Sequence, residues 1–80
     1  MAKSQDVTIY TTPTCHFCHM AKEFFTEHKV PFNEHDVARD LTRRREMIEK
    51  SGQMGVPVIT IGNQLVVGFD EGRLRELLAI

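Results

Sequence analysis

Apolar and polar positions follow two rhythms along the chain. Val7-Thr8-Ile9-Tyr10 is β-branched and aromatic and reads as a strand. Thr11-Thr12-Pro13-Thr14 breaks it, because Pro13 cannot continue a central strand and Thr14 suits a helix N-cap. Phe17, Met20, Ala21, Phe24, Phe25 and His28 then recur at helical spacing, with Lys22, Glu23, Glu27 and Lys29 mostly off that stripe. On this reading Phe17 packs in the core and His28 sits at its boundary. Pro31 stops the helix.

Residues 32–37 read as a second strand, weakened by Asn33, Glu34 and Asp36. Residues 40–50 are good helix formers, with Leu41 and Ile48 spaced to share a face. Gly52 suits the position just past a helix end. Val58-Ile59-Thr60-Ile61 and Gln64-Leu65-Val66-Val67 flank Gly62-Asn63, a two-residue hairpin signal. Asp70 and Glu71 open a last helix, where acids favour the positive end of the dipole, and Leu74, Leu77 and Leu78 give it an apolar face. Met47 and Met54 are expected in the core or at its rim. The order is β-α-β-α-β-β-α. Its first βαβ unit implies a parallel pair with a right-handed crossover, and the hairpin adds an antiparallel one. The predicted architecture is α/β, a four-stranded mixed sheet flanked by three helices.

Eighty residues accommodate one domain, 1–80, with a modest core. Lysine plus arginine number 10 against 11 acids, for a net charge of −1, which argues against nucleic acid as the main partner. Arg43-Arg44-Arg45 reads as a solvated helix face, or more sharply as a docking surface for an acidic partner. No apolar run approaches the roughly 20 residues that cross a bilayer. Nor does an apolar segment follow Met1-Ala2-Lys3-Ser4-Gln5-Asp6, as a secretory leader would require. The expected location is the cytoplasm, where thiols are mostly kept reduced.

Against that background the two cysteines, Cys15 and Cys18, stand out. The loop between them is too short to serve as a structural staple. Reactivity or metal binding must account for them. Cys15 falls just after a strand, at the first turn of a helix, where free N–H groups and the dipole favour negative charge. Such sites lower a cysteine pKa from about 8.5 to roughly 3.5–7.5. Cys18 is the i+3 neighbour, with Cβ atoms about 5–6 Å apart on a helix, within small adjustments of disulfide distance. The spacing supports attack by Cys15 on a substrate disulfide, followed by attack of Cys18 on the mixed disulfide. A protonated His16 would further stabilise the thiolate; a solvated histidine without a role is the plain alternative.

The same residues admit other chemistry. Cys15-His16-Phe17-Cys18-His19 also fits the C-x-x-C-H pattern of c-type haem attachment, with Met47, Met54, His28 or His35 as a second axial ligand. The lack of an export signal and the β-rich second half oppose it. A metal held by Cys15, Cys18, His16 and His19 is opposed by helix geometry, since adjacent residues point apart. An iron–sulfur cluster shared between two chains and a binding-only adaptor are the remaining alternatives. No resident metal is expected.

Four segments in order carry a resemblance over nearly the whole chain. They are Ile9-Tyr10-Thr11-Thr12-Pro13-Thr14 leading into Cys15-His16-Phe17-Cys18-His19, then Arg45-Glu46-Met47-Ile48-Glu49-Lys50-Ser51-Gly52, Gly55-Val56-Pro57-Val58-Ile59, and Val67-Gly68-Phe69-Asp70-Glu71. Together they resemble the glutaredoxin family. The resemblance implies a thioredoxin-like fold, a cis Pro57 facing the cysteines, and a dithiol–disulfide oxidoreductase with a redox-active disulfide. It also implies a groove for an extended thiol substrate, formed by Thr12, Val56, Pro57, Gly68, Asp70 and Glu71. His16 and Phe17 would tune the redox pair. The implied partners are disulfide-containing proteins, met by a monomer, and the implied electron source is glutathione. Many family members carry lysine at Thr12, a Gly-Gly pair at Val67-Gly68 and Pro-Tyr at His16-Phe17. The NrdH-type redoxins draw instead on thioredoxin reductase and NADPH, and reduce ribonucleotide reductase. Their Trp-Ser-Gly-Phe-Arg-Pro segment is partly echoed by Val66-Val67-Gly68-Phe69-Asp70.

Overall fold

Alternation along the strands divides the interior in two. Val7, Ile9, Ile59, Ile61 and Val66 face one way and pack against Ala21, Phe24, Phe25 and Leu74. Tyr10 and Val58, one residue out of phase, face the other way and meet Val37 and Met47. The computed structural model describes residues 6–80; residues 1–5, read above for a leader, lie outside them. Its elements are β1 (Val7–Thr11), α1 (His16–Glu27), β2 (Asn33–Asp36), α2 (Leu41–Ser51), β3 (Val58–Ile61), β4 (Gln64–Val67) and α3 (Glu71–Leu78). The sheet order is β2-β1-β3-β4, with β1 and β2 parallel and the other neighbours antiparallel. Helices α1 and α3 cover one face and α2 the other, the three-layer α/β architecture expected.

The two faces are held differently. On the α1 side aromatic rings interlock, with Phe24 edge-on to Phe25 and Phe69 at 5.8 and 5.9 Å. On the α2 side Met47 is the helix's one fully buried residue. A polar bond supplements it: the Tyr10 hydroxyl donates to Glu46 Oε2 at 2.6 Å, and Arg43 donates to Glu46 Oε1 at 2.9 Å. Burial, then the Glu46 carboxylate, pushes the Tyr10 hydroxyl up to about 12. The same bond from Tyr10 holds Glu46 below the usual carboxylate range. Gly52 ends α2 in the left-handed conformation at φ 75°, its N–H bonded to the Ile48 carbonyl at 2.7 Å.

Several expectations need correction. Phe17 is 55% exposed rather than packed in the core. The apolar stripe runs into the first turn of α1, but the packed layer ends before it, and the ring's aromatic contact is with His16 at 5.5 Å. Met54 is likewise exposed, whereas Met47 is buried; Leu41 and Ile48 share one face of α2 as expected, with Leu41 exposed at its start. Strand β2 is shorter than residues 32–37. His28 lies at the boundary as expected, its ring 4.5 Å from Phe24. Among the described residues no helix is long and apolar enough to cross a membrane.

Candidate active site

Strand β1 ends at Thr11, and its pairing sets Tyr10 opposite Val58. Carrying that register onward places Thr12 opposite Val56, so the loop after β1 and the segment before β3 meet at one end of the sheet. The Thr12 carbonyl accepts from the Cys15 N–H at 3.3 Å, closing a turn over Pro13 and Thr14. That turn delays the helix by one residue, so Cys15, not Thr14, is the N-cap. Its backbone is extended (φ −88°, ψ 113°) and its Sγ accepts from the Cys18 N–H at 3.1 Å. A sulfur here does what a hydroxyl or carboxylate oxygen does in most caps. Neutral sulfur is a weak acceptor, and hydrogen bonds to ionised acceptors are roughly twice as strong as neutral ones, so the bond tightens as charge gathers on Cys15.

Cys18 lies in the opposite surroundings. It is fully buried, and both cysteines are free thiols. Burial first, then the hydrogen bond with Cys15, pushes the Cys18 thiol up to about 12; the Thr12 backbone and the Lys22 ammonium act the other way. His16 and Phe17, between the two sulfurs in sequence, both turn to solvent. His19 Nε2 lies 3.1 Å from the Pro13 carbonyl, tying α1 back to the loop. Among the described residues no three His, Cys, Asp or Glu side chains gather closely enough to hold a metal ion, so Cys15, Cys18, His16 and His19 do not converge.

The peptide bond between Val56 and Pro57 is cis, and Pro57 is buried. The Pro57 carbonyl accepts from the Gly68 N–H at 2.8 Å, which ties the segment before β3 to the end of β4. Gly68 has φ 84°, a conformation glycine adopts without the steric penalty of a Cβ. Asp70 caps α3, its Oδ1 accepting from the Arg73 N–H at 3.1 Å. Glu71 accepts from Arg75 at 3.1 Å and, with Met20, Phe24 and Phe69, lines a shallow depression between α1 and α3. The structure thus gathers Thr12, Cys15 and Cys18 into one bonded unit. It brings Val56 opposite Thr12, bonds Gly68 to Pro57 on the other side of that segment, places Asp70 and Glu71 at the start of α3, and leaves His16 and Phe17 facing water.

One cluster escaped the sequence reading. Lys22 Nζ donates to Glu34 Oε2 at 2.9 Å, and the Thr11 hydroxyl donates to the same oxygen at 2.8 Å. These bonds, the one from Lys22 first, hold Glu34 below the usual carboxylate range. The signal that could have flagged Lys22 is its place four residues after Cys18, one turn along the same helix.

A mixed four-stranded sheet, three helices and a C-x-x-C pair opening the first of them define a redoxin of thioredoxin-like fold. Residues 7–66 match the glutaredoxin family model, and the chain belongs to the glutaredoxin family. It is 39% identical over 72 residues to a glutaredoxin-like 8.6 kDa protein in the rubredoxin operon of Clostridium pasteurianum, covering 90% of this chain and 96% of that one. Glutaredoxin 3 of Escherichia coli strain K12 is 39% identical over 66 residues, covering 82% and 80%. The solved structure of NrdH-redoxin from Escherichia coli, a glutaredoxin-like protein described as having a thioredoxin-like activity profile, superposes with a TM-score of 0.78 at 26% identity, covering 90% and 93%.

Proposed function

We propose that the chain is a dithiol–disulfide oxidoreductase, an electron carrier that reduces protein disulfides or glutathione mixed disulfides. The observation that carries this reading is the asymmetry of the cysteine pair. The Cys15 sulfur caps α1 and accepts a backbone hydrogen bond, while Cys18 lies buried one turn below it. Cys15 is the nucleophile: its thiolate attacks one sulfur of the substrate disulfide, expels the other and forms a mixed disulfide. Cys18 is the resolving thiol: it attacks Cys15, frees the reduced substrate and leaves a disulfide between Cys15 and Cys18.

The remaining residues shape the approach. In this reading the Val56 backbone pairs with an extended substrate as an added strand does, with Thr12 and Pro57 beside it. Gly68, Asp70 and Glu71 form the far end, where the backbone N–H groups at the start of α3 suit a carboxylate. His16 and Phe17, both at the surface, tune the pair from its outer side. Such a dithiol needs a supply of reducing equivalents, so its proposed setting is the cytoplasm, acting as a monomer.

Two donors fit, and each has an observation behind it. Similarity to glutaredoxin 3 favours glutathione. Thr12 and Val67, with the likeness to NrdH-redoxin, favour thioredoxin reductase and, downstream, ribonucleotide reductase as acceptor. The deciding experiment follows NADPH consumption by the oxidised protein with glutathione plus glutathione reductase in one arm and thioredoxin reductase in the other. Turnover with glutathione identifies a glutaredoxin that tolerates Thr12. Turnover with thioredoxin reductase alone identifies a thioredoxin-like carrier. Activity that persists in Cys15→Ser contradicts both.

A further inference from the structure

Cys18 must give up its proton before it can displace a substrate from Cys15, and it must do so while buried. In the mixed disulfide Cys15 is neutral, so it no longer opposes charge on Cys18, but it offers nothing that favours it. The other groups that act on Cys18 are the Thr12 backbone at the end of β1 and Lys22 on α1. Glu34 faces Lys22 from β2, and His19 of α1 acts on Glu34 in turn.

Lys22 lies one helical turn from Cys18, at the i+4 spacing that makes side chains neighbours. Its ammonium is not left to swing in solvent. It donates to Glu34 Oε2 at 2.9 Å with the Lys22 side chain only 27% exposed. The same oxygen accepts from the hydroxyl of buried Thr11 at 2.8 Å. Thr11 in turn adjoins Thr12, whose carbonyl anchors Cys15. A single cation is therefore clamped between the active helix and the sheet edge. Partly exposed ion pairs contribute about 0–1 kcal/mol to stability, so folding alone gives little reason for so ordered a clamp.

We propose that Lys22, held by Glu34 and Thr11, is a positioning residue for the release step, its fixed charge favouring the Cys18 thiolate as it forms. This rests on the dithiol reading above. In that step the Cys18 S–H bond yields its proton to solvent, and the sulfur electron pair forms the bond to Cys15. The bond between Cys15 and the substrate sulfur breaks, and that sulfur leaves as a thiolate that takes a proton from solvent. Over both steps the two cysteines lose two electrons and the substrate disulfide gains them. Lys22 keeps its proton throughout.

Stopped-flow reaction of the reduced full chain with the disulfide of thionitrobenzoate tests this. The first equivalent of coloured thiol reports attack by Cys15, and the second reports its displacement by Cys18. Lys22→Met slows the second phase about three- to tenfold at neutral pH and moves its pH profile upward, while the first phase holds. Lys22→Arg restores the second phase. A second phase unchanged in Lys22→Met, equal slowing of both phases, or Lys22→Arg as slow as Lys22→Met overturns the inference. No second phase in the unaltered chain overturns the dithiol reading instead.

Discussion

The outer and inner sides of α1 carry like residues into unlike surroundings. Cys15, His16 and Phe17 sit at or near the surface, whereas Cys18, Ala21 and Phe25 are fully buried. Each side has a thiol and an aromatic ring, so the difference between them is water and backbone rather than side-chain chemistry. On the outer side the helix end offers N–H groups to a sulfur that can carry charge. On the inner side burial keeps the thiol protonated until it is needed. Two cysteines three residues apart become unequal because one stands at the end of a helix and the other lies beneath its first turn.

The sharpest way to break this contrast is to exchange the sulfurs for oxygen one at a time. Cys15→Ser is expected to abolish disulfide reduction in a coupled assay, since a hydroxyl is not an effective nucleophile here. Alkylation comes next. In Cys15→Ala, iodoacetamide labelling of Cys18 at neutral pH is expected to be about 100-fold slower than labelling of the same thiol in denaturant. Its rate keeps climbing toward strongly alkaline pH, because burial holds that thiol up. Rapid labelling at neutral pH would place Cys18 on the outer side.

The aromatic rings give a smaller effect, read as denaturant midpoints. Phe25→Ala is expected to cost about 3–5 kcal/mol, while Phe17→Ala stays within about 0.5 kcal/mol. Equal costs would mean that the first turn is packed after all. An effect smaller than that of Phe25→Ala lies across the sheet, where polar bonding takes over from aromatic packing. Tyr10→Phe removes the bond to Glu46 and is expected to cost about 1–2 kcal/mol at neutral pH. Glu46 sits below its ordinary range in the folded chain. Its contribution is therefore present above the ordinary carboxylate pKa and lost as pH falls through the lower folded value. Tyr10→Phe should accordingly flatten the acid limb of a stability–pH curve.

Local signals made the framework legible in the sequence. The Gly62-Asn63 hairpin, Gly52 past α2 and the strand–loop–helix around Cys15 all depend on residues within a few positions of one another. Periodicity also named most of the core, from Ile9 to Leu74. It failed at Phe17 because a stripe does not reveal where the opposing layer stops. The cap was misplaced by one residue because the turn closed by Thr12 and Cys15 decides where the helix begins. Pairings such as Tyr10 with Glu46 and Lys22 with Glu34 and Thr11 join segments that only the packing of helices on the sheet brings together.

The most direct test of the account is to trap the intermediate. Cys18→Ser and Cys15→Ser chains, each reduced and then mixed with a disulfide-bonded peptide, would be weighed intact by mass spectrometry. The account predicts that Cys18→Ser gains one half of the peptide as an adduct on Cys15, released by added thiol, and that Cys15→Ser gains nothing. An adduct on Cys18 in the Cys15→Ser chain, or full turnover by Cys18→Ser with no adduct, would contradict the division of labour between the two sulfurs.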